Sequence, residues 1–344
     1  MTTTAAPPDR TDVPARAPSV LPGLAAAMVV ASVATGVGRL LPLLGGPVAG
    51  ILLGVALSGF AHRRAALAPG IRFASGFVLQ LAVVVLGSQL SLHQVAHVGL
   101  ASLPVMLGTL AACLAAAFWL GRLLGIDADL RTLIGVGTGI CGASAIAAVS
   151  PVIKARSNTI AYAVSTIFVF NIAAVLLFPP LGHLLHLSQD AFGLFAGTAV
   201  NDTSSVVAAA TTYGAEAGNH AVVVKLTRTL MIIPISLGLS ALVARRDGAD
   251  RAGGLGRRVL RLVPWFLVGF LVVAAANSLG AVPASAHAPL QHASVFLITV
   301  ALAAIGLSTD VAGLRRAGHR PLLLGAALWV VVAGTSLLLQ WAAG

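Results

Sequence analysis

The sequence predicts an all-α polytopic membrane protein of about eleven hydrophobic segments. Two of these, near 132–151 and 190–210, are expected to be broken or re-entrant, in the manner of an inverted-repeat transporter. Three observations carry the prediction. Of 344 residues, 58% are hydrophobic and only 9% charged, against about 25% charged in an ordinary soluble domain. The apolar residues fall in runs of about 18–25, the length a bilayer core requires. The basic residues gather in short clusters between those runs, as in "HRR" (62–64), "ARRDGADRAGGLGRR" (244–258) and "LRRAGHR" (314–320).

Residues 1–18, rich in Pro, Thr and Ala, read as a disordered cytoplasmic tail, and 19–344 as one transmembrane domain. The first apolar run, 20–41, is long enough to span and reads as a membrane helix rather than a cleaved leader. It is followed by runs at 44–61, 73–91, 98–123, 132–151, 158–181, 190–210, 219–243, 262–281, 291–309 and 320–342. Cys113 and Cys141 both fall inside apolar runs, so no disulfide framework is implied.

Loop charge sets the orientation. With the N-terminus in the cytoplasm, Arg63, Arg64, Arg72, Arg122, Arg131, the cluster Arg245–Arg261, and Arg315, Arg316 and Arg320 all lie inside, as the positive-inside rule requires. The loops at 92–97 and 282–290 carry histidine but no lysine or arginine and suit the outside. One loop dissents: Lys154 and Arg156 are external if every segment simply crosses. They return to the cytoplasmic side if the fifth and seventh segments each enter and leave by one face. Such segments are tolerated where protein or a water-filled cavity surrounds the freed backbone groups. Eleven full crossings with two misplaced charges is the alternative.

Internal similarity points the same way. "GTGICGASAIAA" (137–148) aligns with "GTAVNDTSSVVAA" (197–209), matching Ile140 to Val200 and Ser144 to Ser204. A second echo pairs "VVVLGSQLSLHQVAHVG" (83–99) with "LAAIGLSTDVAGLRRAG" (302–318), keeping Gly87 with Gly306 and Gly99 with Gly318. In the assigned topology the first of this pair leaves outward and the second inward, the relation found in inverted-repeat transporters.

The candidate site residues cluster in these motifs. Asp202 lies within an apolar, small-residue run; a carboxylate at membrane depth costs at least about 2.5–3.5 kcal/mol, so it faces an interior and has a task. Asn201, Thr203, Ser204 and Ser205 surround it with donors and acceptors. Lys225 and Arg228, three apart, share a helix face. Arg228 is too deep to snorkel, whereas Lys225 is expected to reach the interface. Arg228 is either a salt-bridge partner of Asp202 or an anion clamp, since a guanidinium offers oxyanions a planar fork of donors. Glycines at 137, 139 and 142 free the backbone to unwind, and a half-helix starting near Gly142–Ser144 would point its N–H groups at an anion. The competing reading is close helix packing through small residues, with Cys141 a packing residue.

Nucleic-acid binding is not expected, because the basic clusters follow the membrane topology and lack interleaved aromatics. Nor is enzymatic activity: every histidine lies at a segment end or in a loop, leaving a Ser or Cys nucleophile without its usual base. No cofactor and no metal cluster is implied. Asp310, in "LSTDVAGLRR", reads as an N-cap candidate at the cytoplasmic edge, and His93, His97, His287 and His292 fall at the outer face.

Across nearly the whole chain after the tail, the sequence resembles the YeiH-type sulfate exporter family of bacterial inner-membrane proteins. The resemblance rests on "GICGASAIAAVSPVIKA" (139–155), "GTAVNDTSSVVAA" (197–209), "VVKLTRTLMIIP" (223–234), "PWF" (264–266) and "LAAIGLSTDVAGLRRAGHRPLL" (302–323). It implies a helical inner-membrane transporter with an anion as cargo. Members carry a His-Asp/Glu-x-x-Gln-Val pattern; here the matching places hold Asn201, Asp202, Ser205 and Val206, so the acid is kept while two hydrogen-bonding neighbours differ. The expectation is a secondary transporter of a small oxyanion, sulfate, sulfite or sulfonate-like. Gly139, Cys141, Gly142, Ser144, Asn201, Thr203, Ser204, Lys225 and Arg228 are its expected contacts, and Asp202 is expected to couple protons or sodium, or to gate the empty site by pairing with Arg228. The alternatives are a sodium- or proton-coupled carrier of a neutral or cationic solute with Arg228 structural, and a membrane scaffold or sensor.

Overall fold

A computed structural model describes residues 19–40, 45–247, 264–309 and 319–343. The expected tail (1–18), most of the basic loop after residue 247, and Asp310 with Arg315 and Arg316 lie outside the described residues. The described residues form helices and turns, with no strand among them. Eight helical stretches are long and apolar enough to cross a membrane, and Trp265–Ser278 is a shorter apolar helix. Two pairs of half-helices complete the set.

The chain begins with α1 (Leu21–Leu40) and α2 (Gly45–His62). The next crossing, Ala65–Gln89, contains α3 (Ala68–Phe73) and α4 (Leu79–Leu86), joined by a π-turn at Ala74–Val78. The long α5 (Leu92–Leu123) starts with a capping box, Ser91 accepting from the Gln94 N–H while Gln94 accepts from the Ser91 N–H. Then come α6 (Ala128–Gly139), α7 (Ala143–Val149), α8 (Ser157–Leu184), α9 (Gln189–Ala199), α10 (Thr203–Tyr213), α11 (Ala215–Thr229) and α12 (Ile232–Asp247). The last three are α13 (Trp265–Ser278), α14 (Ala284–Leu307) and α15 (His319–Ala343).

Both broken segments are re-entrant hairpins. At the base of the second, the Gln189 side chain at the start of α9 accepts from the Ala217 N–H just after the end of α10, 3.0 Å away. The Phe192 and Tyr213 rings stack at 3.9 Å, and the Tyr213 hydroxyl donates to the Leu187 carbonyl. A straight run of helix from 189 to 213 would put these ends more than about 30 Å apart at 1.5 Å per residue. In the first hairpin the Gly142 N–H closes on the Gly137 carbonyl at 2.8 Å, with Gly142 in the left-handed region (φ +68°), and the chain reverses. The Ile146 side chain then packs back on Gly137, 3.0 Å from where a Cβ would stand.

Between the hairpins α8 crosses once, so they enter from opposite faces. Hairpin one with α8, and hairpin two with α11 and α12, are inverted copies of a single unit. The dissenting loop is thereby explained: Lys154 and Arg156 follow a hairpin that returns to the face bearing Arg122 and Arg131. Arg320 lies there too, its guanidinium close to Gly125. The opposite face carries His183 and His186, and His220 pairs with Asp190 at 3.0 Å.

Close backbone approach fixes α2 against α14. A Cβ on Gly54 would stand 2.8 Å from the Gly306 Cα, and one on Gly306 equally close to the Gly54 Cα. Gly306 of the second echo is therefore a packing glycine. Gly87, its counterpart, abuts the Phe270 carbonyl where α4 gives way to a short 3-10 turn. Although Ala favours a helix over Gly by about 0.8–1 kcal/mol, Gly54→Ala and Gly306→Ala are expected to lower the thermal unfolding midpoint in detergent, overpacking costing about 1–3 kcal/mol. Gly334→Ala, with nothing within 4 Å, is expected to leave the midpoint unchanged or raise it.

Candidate functional site

Where the two hairpins meet, each has a helix that stops and another that starts. The repeat recognised in sequence is kept in register: α6 ends at Gly139 with Ile140 after it, and α9 ends at Ala199 with Val200 after it. Gly142 precedes α7 as Asp202 precedes α10. The tips abut, since a Cβ on Gly142 would stand 3.1 Å from the Asp202 Cβ. Only glycine permits both this approach and the positive φ.

A helix end leaves carbonyls without intrahelical partners and carries a partial negative charge. In the middle of a membrane that deficit needs a buried donor. Lys225 and Arg228, both 0% exposed, supply it. The Lys225 ammonium donates to the Ile140 carbonyl at 2.9 Å and to the Val200 carbonyl at 2.8 Å. Arg228 donates through Nε to the Gly139 carbonyl at 2.6 Å, and through Nη1 to the Thr198 carbonyl. Each cation thus binds both tips, at equivalent or adjacent positions of the repeat.

This revises two expectations. Lys225 does not snorkel, because α11 starts at Ala215 and the side chain turns inward to the tips. Arg228 does not pair with Asp202: its bonds run to the carbonyls of Gly139 and Thr198. The Asp202 carboxylate instead accepts from the Ser204 hydroxyl, and its backbone N–H donates to Asn171 Oδ1 at 3.2 Å. Asn171, in the middle of α8, was missed in the sequence, although an asparagine at the centre of an apolar 28-residue helix is a legible sign of a polar partner.

The other expected residues fall around the same junction. Gly139, Cys141 and Gly142 are buried in the first tip, with Cys141 packed in the apolar core. Ala143 and Ser144 are exposed at the start of α7, and Asp202 and Thr203 are half-buried. Ser204 and Asn201 are buried. Two buried polar atoms there have no protein partner: Arg228 Nη2, a donor, and Asn201 Oδ1, an acceptor. The arrangement is a polar, cation-bearing junction of two helix breaks. Its carbonyl ends are capped by side chains, and the N–H end of α10 begins within it.

A family model, Conserved hypothetical protein 698, matches residues 22–325. The chain belongs to that family. Relatives named UPF0324 membrane proteins match almost end to end. One from Streptococcus pyogenes serotype M3 is 45% identical over 331 residues, 94% of this chain and 97% of that protein. One from Streptococcus agalactiae serotype V is 42% identical over 326 residues, covering 93% and 96%. The chain is thus a multi-pass membrane protein of that family.

Substituting Lys225 by Met keeps length but leaves two mid-membrane carbonyls without a donor. Lys225→Met is expected to destabilise the folded protein by about 1.5–3 kcal/mol, read as a lower thermal midpoint in detergent. Lys225→Arg, which keeps the charge and the donors, is expected to recover part of the loss.

Proposed function

We propose that this protein is a secondary transporter of a small oxyanion, sulfate, sulfite or sulfonate-like, working by alternating access about the hairpin junction and exporting its cargo. The observation that carries the reading is the charge arrangement at the tips. Two fully buried cations are bonded to the tips, the second of which carries Asp202, and Arg228 keeps a buried donor, Nη2, unpartnered. The helix ends that would repel an anion, the carbonyl ends of α6 and α9, are already capped by Lys225 and Arg228. The end that attracts one, the N–H end of α10, starts at Thr203, directly after Asp202. Ser144, exposed, and Thr203, half-buried, offer hydroxyl donors at the tips. The resemblance to the sulfate exporter family supports the same class of cargo. Under the positive-inside rule the arginine-bearing face is cytoplasmic, which puts the N-terminus inside a bacterial inner membrane.

A second reading, a sodium- or proton-coupled carrier of a neutral or cationic solute, draws on a different fact. Most donors of Lys225 and Arg228 that have partners serve backbone carbonyls, and Asn201 Oδ1 is a buried acceptor without a donor. In that reading both cations are scaffolding and no anion contacts them.

Thermal unfolding of the purified protein in detergent separates the two readings, using sulfate, sulfite, thiosulfate, taurine and a dicarboxylate against chloride at fixed ionic strength. A ligand at about 100 times its dissociation constant adds about 2.7 kcal/mol to the state that binds it. A selective upward shift with one oxyanion, reduced in Ser144→Ala and Thr203→Val, is the expected result. Stabilisation by sodium alone, with no response to any anion, would transfer the assignment to the second reading.

A further inference from the structure

The tips are held at their carbonyl ends, and what holds them bears on which ion the protein uses. Four carbonyls gather at the junction: those of Gly139 and Ile140 at the end of α6, and those of Thr198 and Val200 at the end of α9. Carbonyls at the negative ends of interrupted helices are where many secondary transporters coordinate a coupling sodium ion. Here all four are taken by side chains of α11. Lys225 Nζ stands 2.9 Å from the Ile140 oxygen and 2.8 Å from the Val200 oxygen, bridging the two tips as a shared ion would. Arg228 takes Gly139 through Nε at 2.6 Å and Thr198 through Nη1. Both side chains are fully buried, so their polar ends are lodged between the tips and do not reach solvent.

We infer that these carbonyls form a monovalent-cation site which the chain fills with its own side chains, so that the protein works without sodium at the hairpin tips. A diffusible ion would serve the carbonyls only while bound, and its departure would leave them bare at mid-membrane. A tethered group serves them throughout. The inference does not depend on the charge of Lys225: as ammonium or as amine, Nζ fills the place between the tips and gives a hydrogen to each carbonyl. It rests on the transporter reading above but not on the nature of the cargo, and it removes sodium coupling at this junction from the second reading. It also says what shortening the tether does. Lys225→Ala deletes the side chain beyond Cβ and leaves the Ile140 and Val200 carbonyls facing a space of that size. n-Propylammonium has the same atoms as the deleted part, so it is the cation that best refills the space; sodium and potassium replace only the charge.

The test is thermal unfolding of the full-length protein in detergent, at fixed pH and ionic strength, in the chlorides of sodium, potassium, choline and n-propylammonium. The unaltered protein is expected to unfold at one midpoint in sodium, potassium and choline. Lys225→Ala should unfold lower in choline and regain midpoint, saturably, as n-propylammonium replaces choline, with a smaller gain in sodium or potassium. Lys225→Met, whose side chain occupies the space and offers no donor, should gain nothing, which separates refilling of the site from a general effect of the amine. A midpoint of the unaltered protein raised by sodium over potassium and choline would overturn the inference, and that arm decides even where no variant folds. So would a folded Lys225→Ala that answers to none of the cations. Recovery of Lys225→Ala only when n-propylammonium is present throughout purification is the rescue itself. The anion panel is read separately. Rescue without any anion response sinks the oxyanion reading alone, whereas a selective anion response in a protein that sodium stabilises sinks the inference alone.

Discussion

The organisation of this protein depends on carbonyl groups that cannot be left alone. A helix that stops in the middle of a membrane exposes its last carbonyls where water is absent, and two helices stop here at the same depth, α6 at Gly139 and α9 at Ala199. An apolar side chain cannot satisfy them, and a loop would add more polar backbone. A long cationic side chain brings several donors at the end of an aliphatic stem that packs like a hydrocarbon. Lys225 and Arg228, three residues apart on α11, put two such stems on one helix face and serve both ends together. Burying two cations is tolerable because each is hydrogen-bonded to the negative end of a helix dipole rather than stranded.

The same bonds have a mechanical consequence. Since each cation holds a carbonyl from both hairpins, parting the tips would strip donors from buried acceptors twice over. The tips are further locked by the Gly142–Asp202 approach and by the Asn171 bond to Asp202, which ties the second tip to α8. The base of the second hairpin is closed by Gln189, Tyr213 and the Asp190–His220 pair. Hairpins, α8 and α11 are thus coupled into one unit. The α2–α14 pair is built differently, on Gly54 and Gly306 in backbone contact, with Thr299 packed against Gly46 and Gly50 and its hydroxyl bonded within its own helix. On the transporter reading proposed above, a change of access that keeps the junction intact shifts the hairpin unit against its neighbours rather than opening the tips.

Much of this was legible in the sequence, and the parts that were not share a cause. Apolar run length located the crossings, and the misplaced Lys154 and Arg156 raised the re-entrant topology beside that of eleven full crossings, because charge placement obeys topology. Gly137, Gly139 and Gly142 marked the first break, and Asp202 among small residues marked the second. Of the two readings of Arg228, the salt bridge to Asp202 is not formed. Sequence reasoning matches charge with opposite charge, whereas the guanidinium is bound by the backbone at Gly139 and Thr198. Backbone carbonyls carry no residue signature; any amino acid supplies one. Lys225 was read as shallow for a similar reason, since depth counted along one helix does not reveal two chain breaks at the same level on its neighbours.

The repeat also shows where symmetry ends. The backbone positions correspond, Ile140 with Val200 and Ser144 with Ser204, and Lys225 treats the first two alike. At the turn itself the copies diverge: Cys141 and Gly142 stand opposite Asn201 and Asp202. Glycine at the first tip makes room, and the acid at the second occupies it, so the tips interlock as unlike halves. A junction of two identical tips would have either a void or a pair of facing carboxylates, one poorly packed and the other electrostatically repulsive. Divergence at this position lets paired backbones meet closely while confining the carboxylate to one side. Inverted architecture and asymmetric chemistry are therefore compatible: the first is set by the capped carbonyls, the second by a single glycine-to-aspartate difference at the tip.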